Sequence, residues 1–419
     1  MKKTVKIAYL GLGGRGRSML KNIFCKMPDV EIVALCDPYA PALEMGRQLL
    51  EEAGRPSCLM TADFSEAIAH PEVDAVVIMT GWQQHAPMAE KALLAGKYTA
   101  VEVGCAFDLQ ECHRLVEASE KTGAPLMMLE NCCYGRREMM ALNLAKQGLY
   151  GDVVHCDGGY HHDLRDEDQF RHVKNGNPHY RLDSYIYRNC EQYPTNELGP
   201  IAKVLNINRG NRMLTLSSFA SRSGGLKEAA KNILGEDSPY AKIDYKQGDI
   251  VTTIITCAGG ETIRLCLDTT TPRPYYSRDF TVRGTKGMSA EEGNVVFLDG
   301  MKEPVRNIEE EMFEKYDHPL HAEYHALGER GGHGGMDWLV VRAFVESVKN
   351  GTQTPIDVYD TALWMSIAAL SEHSIAMGGA PVAVPDFTKG KWMNPQPRNL
   401  GKYSLDEIVN DPETPIFPE

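Results

Sequence analysis

The residues that could do chemistry begin at Gly11-Leu12-Gly13-Gly14-Arg15-Gly16, a G-x-G-x-x-G pattern placed directly after an apolar run and before a helical one. In that context the first glycine permits a tight turn and the second lets backbone approach a pyrophosphate. The third allows a helix to pack closely on its strand. The helix N-terminus would add N–H donors and a partial positive charge. Asp37 ends the next apolar run, 21 residues after Gly16. A carboxylate there accepts hydrogen bonds from ribose hydroxyls and repels a 2′-phosphate. Pro38 and Tyr39 supply no compensating arginine, so NAD is expected rather than NADP. Further polar residues stand where later strands should end: Thr80–His85 with Trp82, then Glu102-Val103, then Glu130-Asn131. Taken singly, each fits a plain loop as well as a cofactor contact.

The elements that position these groups follow from periodicity. Val5–Leu10, Glu31–Cys36, Ala75–Met79, Tyr98–Val101 and Leu126–Met128 read as strands. Helical patterns such as Pro87–Ala95 and Leu109–Thr122 alternate with them. That alternation predicts a doubly wound parallel sheet over residues 1–130. Beyond it, residues 131–419 read as a second α/β domain. A helix at Arg136–Gln147 is followed by strands at Val153–Tyr160, Ile250–Cys257, Thr262–Thr269, Asp279–Arg283 and Asn294–Leu298. These predict an open, mostly antiparallel sheet. Asp337–Lys349 and Asp360–Met377 read as amphipathic helices, and the tail after Pro381 as a segment packed across the surface.

Composition bounds the function. The chain has 419 residues, 43% hydrophobic and 24% charged, enough for a large core without staples. Lys+Arg is 44 against 57 Asp+Glu, a net charge of −13, which gives no global attraction for nucleic acid or an anionic membrane. No run approaches a membrane span of roughly 18 apolar residues, and no secretory signal is recognisable at the start. The 11 cysteines are odd in number and form no CxxC pair, which favours reduced thiols and a cytoplasmic location. His161 and His162 are neighbours on one strand and should face opposite ways, and His333 lacks the spacing of a zinc site, so no metal is expected.

Together these residues resemble the glucose–fructose oxidoreductase/inositol dehydrogenase superfamily, which pairs a Rossmann domain with a C-terminal α/β domain. Five ordered segments sharpen the likeness: Met128–Arg136, Gly158–Arg165, Tyr193-Pro194-Thr195-Asn196-Glu197-Leu198-Gly199-Pro200, Pro272–Ser277 and Gly331–Asp337. This set is similar to the NAD-dependent glycosidases of glycoside hydrolase family 109, typified by α-N-acetylgalactosaminidases. The resemblance implies NAD contacts from Gly11, Gly13, Gly14, Arg15, Gly16, Asp37, Trp82, His85, Glu102, Val103 and Asn131. It implies substrate contacts from Glu130, Arg181, Tyr193, Pro194, Thr195 and Tyr276, and catalytic roles for Tyr160, His162, Asn196 and Tyr275. Tyr275 and Tyr276 are adjacent, and a one-residue slip between them stays open.

The implied chemistry departs from the usual pair of carboxylates. The sugar is oxidised at C3, which acidifies C2. A base removes the C2 proton, the aglycone leaves from C1, water adds, and C3 is reduced again. A tyrosinate can act as base where a cation or a desolvated histidine lowers its pKa from about 10. Two departures bear on this. Simple dehydrogenases carry Glu-Lys-Pro where this chain has Glu102-Val103-Gly104, and the missing lysine argues against an ordinary sugar dehydrogenase. The family pattern Tyr-Pro-Thr-His is here Tyr-Pro-Thr-Asn, and Asn196 cannot titrate near neutral pH. The chain is then either a weakened variant or an enzyme using another base. A dehydrogenase releasing a 3-keto sugar and an inactive sugar or NAD sensor remain the alternatives. A homo-oligomer, dimer or tetramer, is expected through the open sheet face.

Overall fold

The computed structural model describes residues 3–104, 106–176, 178–398 and 400–418. The first domain is a six-stranded parallel sheet of β1 (Val5–Leu10), β2 (Val30–Cys36), β3 (Leu59–Thr61), β4 (Ala75–Ile78), β5 (Tyr98–Val101) and β6 (Leu126–Met128). Their order is β3-β2-β1-β4-β5-β6. The direction of winding reverses between β1 and β4, and the crevice beyond their carboxyl ends is where such sheets bind ligands. β4 is Ala-Val-Val-Ile, buried at every position, as a strand covered on both faces must be. β3 escaped the sequence reading because three residues carry too little periodicity. The helix expected at Pro87–Ala95 begins earlier, at Trp82, and runs to Leu94 with Pro87 inside it. Proline suits a first turn, but here it is accepted within the helix at the loss of one backbone hydrogen bond.

The second sheet has eight strands in the order β13-β12-β11-β7-β10-β9-β8-β14. They are β7 (Val153–His161), β8 (Met213–Ala220), β9 (Ile250–Cys257), β10 (Thr262–Asp268), β11 (Thr281–Gly284), β12 (Gly287–Ala290), β13 (Val295–Leu298) and β14 (Val382–Ala383). Only β7 and β10 pair in parallel. Two expected strands start late for one reason. Asp279 (φ 53°) and Asn294 (φ 48°) adopt left-handed backbone, which these two residue types tolerate. β8 was not anticipated. A bulge between Met213 and Thr215 breaks its alternation.

One face of this sheet is packed. On β9, Val251, Thr253, Ile255 and Cys257 are buried, whereas Ile254 on the other face is 37% exposed. The helix Val358–Ala376, expected to be amphipathic, is instead buried over most of its surface. It lies between the first domain's helix Leu109–Thr122 and β8. The tail after Pro381 does more than cross the surface: Val382–Ala383 pairs with β8, and Ile416 is fully buried. A separate small core of Phe170, Leu182, Tyr185, Leu226, Ala229, Ala230, Ala241 and Tyr245 forms a side lobe. It organises the polar stretch after His161, which carries the helix Tyr180–Tyr187.

Candidate active site

The loop after β1 is built around its glycines. Gly11 has φ +100°, and a Cβ there would lie 2.7 Å from the Met79 carbonyl carbon. A Cβ on Gly16 would lie 2.2 Å from the Gly11 oxygen, so the helix Gly14–Asn22 packs on its strand only without one. Gly13 and Gly14 face open space. That is the cradle a pyrophosphate occupies at a helix N-terminus. Asp37 accepts from Leu12 N at 2.7 Å and Tyr39 N at 2.9 Å. A carboxylate has about four acceptor sites, so it can still take ribose hydroxyls.

Across the crevice, Trp82 is buried with its Nε1 lacking a hydrogen-bond partner. His85 bonds Thr80 O through Nε2 at 2.9 Å and leaves a buried Nδ1 equally unused. Burial holds the His85 pKa down to about 4, so its ring is neutral. Val103 is buried beside them, and a Cβ on Gly104 would lie 2.6 Å from Trp82 Cδ1. An open glycine cradle and two orphaned buried nitrogens suit a dinucleotide.

Two other expected cofactor residues share one anchor. Arg15 makes two hydrogen bonds of 2.8 Å to Asp337, and Asn131 Nδ2 donates to the same carboxylate at 2.8 Å. Arg15 Nε also lies 3.5 Å from Glu102. Burial raises the Glu102 pKa, and Arg15 opposes it. Sequence reasoning missed Asp337 as a site residue. Its only signal was the Gly331–Asp337 segment that carried part of the resemblance.

The side chains expected around the sugar come from five segments. Tyr160 and His162 lie two apart at the end of β7 and face the same way, with Tyr160 Oη 3.1 Å from His162 Nδ1. His161 bridges to Ser277 on the strand's other edge, with its ring on the opposite face, as alternation requires. Tyr193 stacks on Tyr160 with ring centroids 4.4 Å apart. Pro194 caps the helix Thr195–Val204. Gly158 lets that helix approach, since a Cβ there would lie 2.5 Å from Glu197 Cβ. Asn196 Nδ2 donates to Tyr276 Oη at 3.5 Å.

The tyrosine register is now visible. Tyr276 meets Tyr160 and His162 edge-on at 6.1 and 5.2 Å, while Tyr275 is 61% exposed and joins neither. Of the two adjacent tyrosines, Tyr276 is therefore the one that joins the rings of Tyr160 and His162, whereas Tyr275 lines the cleft further out. Arg181 stands over the rings of Trp82 (5.1 Å) and Tyr193 (4.9 Å), linking the residues expected at the cofactor to those expected at the sugar. Glu130 is fully buried below, accepts from Cys132 N at 3.0 Å, and has its pKa pushed up to about 7 by burial. Thr195 packs beside it, also fully buried.

A layer that sequence reasoning did not find supports this group. Arg278 Nη2 lies 2.7 Å from Glu138 and its Nε 3.2 Å from Glu197, both carboxylates buried. It ties the segment of Tyr276 to the helix of Asn196. A cleft of about 490 Å³ leads from His162 and Tyr276 outward past Tyr275 and Arg273.

Residues 134–394 match the family description "Glycosyl hydrolase 109, C-terminal domain", and residues 5–130 match "Oxidoreductase family, NAD-binding Rossmann fold". The chain belongs to glycosyl hydrolase family 109. It is 38% identical over 414 residues to the alpha-N-acetylgalactosaminidase of Tannerella forsythia, covering 94% of this chain and 88% of that protein. It is likewise 38% identical over 401 residues to a glycosyl hydrolase family 109 protein of Solibacter usitatus, covering 94% and 90%. In fold it is similar to levoglucosan dehydrogenase in complex with NADH and levoglucosan. There the TM-score is 0.67 and the identity 17%, over 91% of this chain and all of the other. The scyllo-inositol dehydrogenase of Lactobacillus casei aligns with TM-score 0.62 at 16% identity, over 92% and 99%. This family 109 member is thus a glycosidase built on an NAD-binding dehydrogenase fold. No helix among its described residues is long and apolar enough to cross a membrane.

Proposed function

We propose that this family 109 glycosidase hydrolyses terminal α-N-acetylgalactosaminides by a redox-neutral route, with Tyr160 and His162 as its proton-transfer pair. The substrate follows the name of the Tannerella relative. The observation that carries the reading is the Tyr160–His162 hydrogen bond, set against the stacked Tyr193 ring and opposite Trp82. Bound NAD supplies reversible oxidation at C3 of the sugar. The chain's own residues move protons and hold charge. His162 Nδ1 accepts from the Tyr160 hydroxyl, which leaves the Tyr160 oxygen suited to taking the C2 proton. The Arg181 guanidinium stabilises negative charge developing on the sugar oxygen. Asn196 orients Tyr276 through its amide but cannot take a proton. Val103 offers no amine where the simple dehydrogenases have theirs. Homo-oligomerisation through the exposed sheet face, where Phe219 is 57% exposed, belongs to the same proposal. So does a cytoplasmic location, on the ten described cysteines, all free thiols.

The test is an aryl α-N-acetylgalactosaminide in D₂O. Aglycone release with deuterium at C2 and no net NADH is expected. Release without C2 deuterium would remove Tyr160 from its role as base, and accumulating NADH would turn the reading to a dehydrogenase.

A further inference from the structure

The carboxylate of Asp337 is 2% exposed and touches the glycine loop through Arg15, and four hydrogen bonds converge on it. Two come from Arg15 in the glycine loop and one from Asn131 after β6. The fourth links His333 Nδ1 at 2.9 Å. Arg15 and Asn131 belong to the first domain's crevice, whereas Asp337 and His333 are far along the chain. Asp337 is in the first turn of the helix Met336–Asn350, where a carboxylate also gains from the helix dipole. Burial alone would raise its pKa, but Arg15 and His333 hold it well below the ordinary carboxylate range.

The segment that delivers these groups is shaped for that position. Gly331, His333, Gly334 and Gly335 all have left-handed backbone, with φ 90°, 52°, 61° and 90°. A Cβ on Gly331 would lie 2.8 Å from Ile23 Cδ1, at the far end of the first domain's helix Gly14–Asn22. A Cβ on Gly335 would lie 2.3 Å from Tyr324. The loop thus packs at the C-terminal end of that helix through Gly331, while Asp337, which follows it, holds Arg15 in the helix's first turn. The loop's one side chain of any length, His333, is 59% exposed and pinned to Asp337. A non-glycine residue in left-handed backbone costs strain, which persists only where the surroundings over-determine it.

We propose that Asp337 is the positioning residue of the dinucleotide site, and that it straps residues 331–335 across the cofactor's pyrophosphate so that NAD is retained between turnovers. The assignment of Asp337 needs only the NAD-binding domain. That retention is useful rests on the redox-neutral reading above, in which NAD never has to leave. Without the carboxylate, Arg15 and Asn131 lose their common anchor and the strap loses its hold on the glycine loop.

The holoenzyme loaded with radiolabelled NAD and chased with excess unlabelled NAD gives the release rate directly, independently of turnover. Asp337→Asn keeps the shape and removes the charge. Release is expected to be at least tenfold faster than in the parent protein, with Asp337→Glu recovering part of the difference. The melting temperature of the cofactor-free protein reads any merely structural role separately. Release within twofold of the parent rate in folded Asp337→Asn overturns the proposal. If that variant fails to fold, His333→Ala decides, because its side chain is exposed. A several-fold faster release supports the strap, and an unchanged rate overturns it. A parent protein that takes up no label would overturn the strap together with the dinucleotide site, whereas a slow chase without C2 exchange in D₂O would leave Asp337 in place and remove only the redox-neutral reading.

Discussion

At the scale of single residues, Asn196 is where this chain parts from its family resemblance. The amide reaches Tyr276 Oη at 3.5 Å, so the position still points into the tyrosine cluster. What it lacks is a titratable nitrogen. A positioned general base contributes about 10²–10⁴-fold. Asn196→His is therefore expected to raise kcat by about a hundredfold while leaving sugar affinity nearly unchanged. Steady-state kinetics on the same aryl glycoside check it, and an unaltered kcat would show that Tyr160 and His162 already suffice. The neighbouring tyrosines make a related point. Their identities were plain in the sequence, but only the turn after Pro274 decides that Tyr276 faces the cluster and Tyr275 faces solvent.

At the scale of elements, the site depends on a lobe that does no chemistry. The helix Tyr180–Tyr187 buries Leu182 and Tyr185 in the small core, and this holds Arg181 over Trp82 and Tyr193. Deleting a buried leucine side chain costs about 2–5 kcal/mol. Because this core is separate from the main one, that cost should fall on the lobe alone. Leu182→Ala is expected to speed hydrogen exchange across residues 165–187 and 225–245 and to lower kcat/KM about tenfold, with little change in the main thermal transition. Equal exchange protection throughout the chain would show that the lobe is not an independent unit. The sequence could not mark this lobe, since its apolar residues come from two polar segments that lie far apart in the chain.

At the scale of the whole molecule, the two domains share one continuous core, and the late helices close it. Thr361 Oγ1 accepts from Met128 N, and Met365 O accepts from Ala106 N. Arg342, fully buried, makes a two-pronged ion pair with Asp29 at 2.8 and 2.7 Å and also meets Glu346. Breaking a buried pair costs about 3–5 kcal/mol because the remaining charge is left uncompensated. Lys349 still reaches Asp29 at 2.8 Å, so the lower end of that range applies. Arg342→Met is expected to lower unfolding free energy by about 3 kcal/mol, and urea titration followed by both fluorescence and circular dichroism measures it. Coincident curves would show that the domains unfold together, as a common core requires.

By itself the sequence determined the cofactor loop, the parallel domain and the segments that meet at the candidate site. Those features are local. A glycine pattern, an alternation or an i, i+2 pair carries its own physical reason within a few residues. Tertiary structure decided what converges from a distance: Asp337 on Arg15 and Asn131, Arg278 between Glu138 and Glu197, and Arg181 on Trp82. A buried carboxylate's role is set by which cations and amides surround it once water is excluded. Residues 322 positions apart along the chain, such as Arg15 and Asp337, leave no trace of that pairing in their spacing.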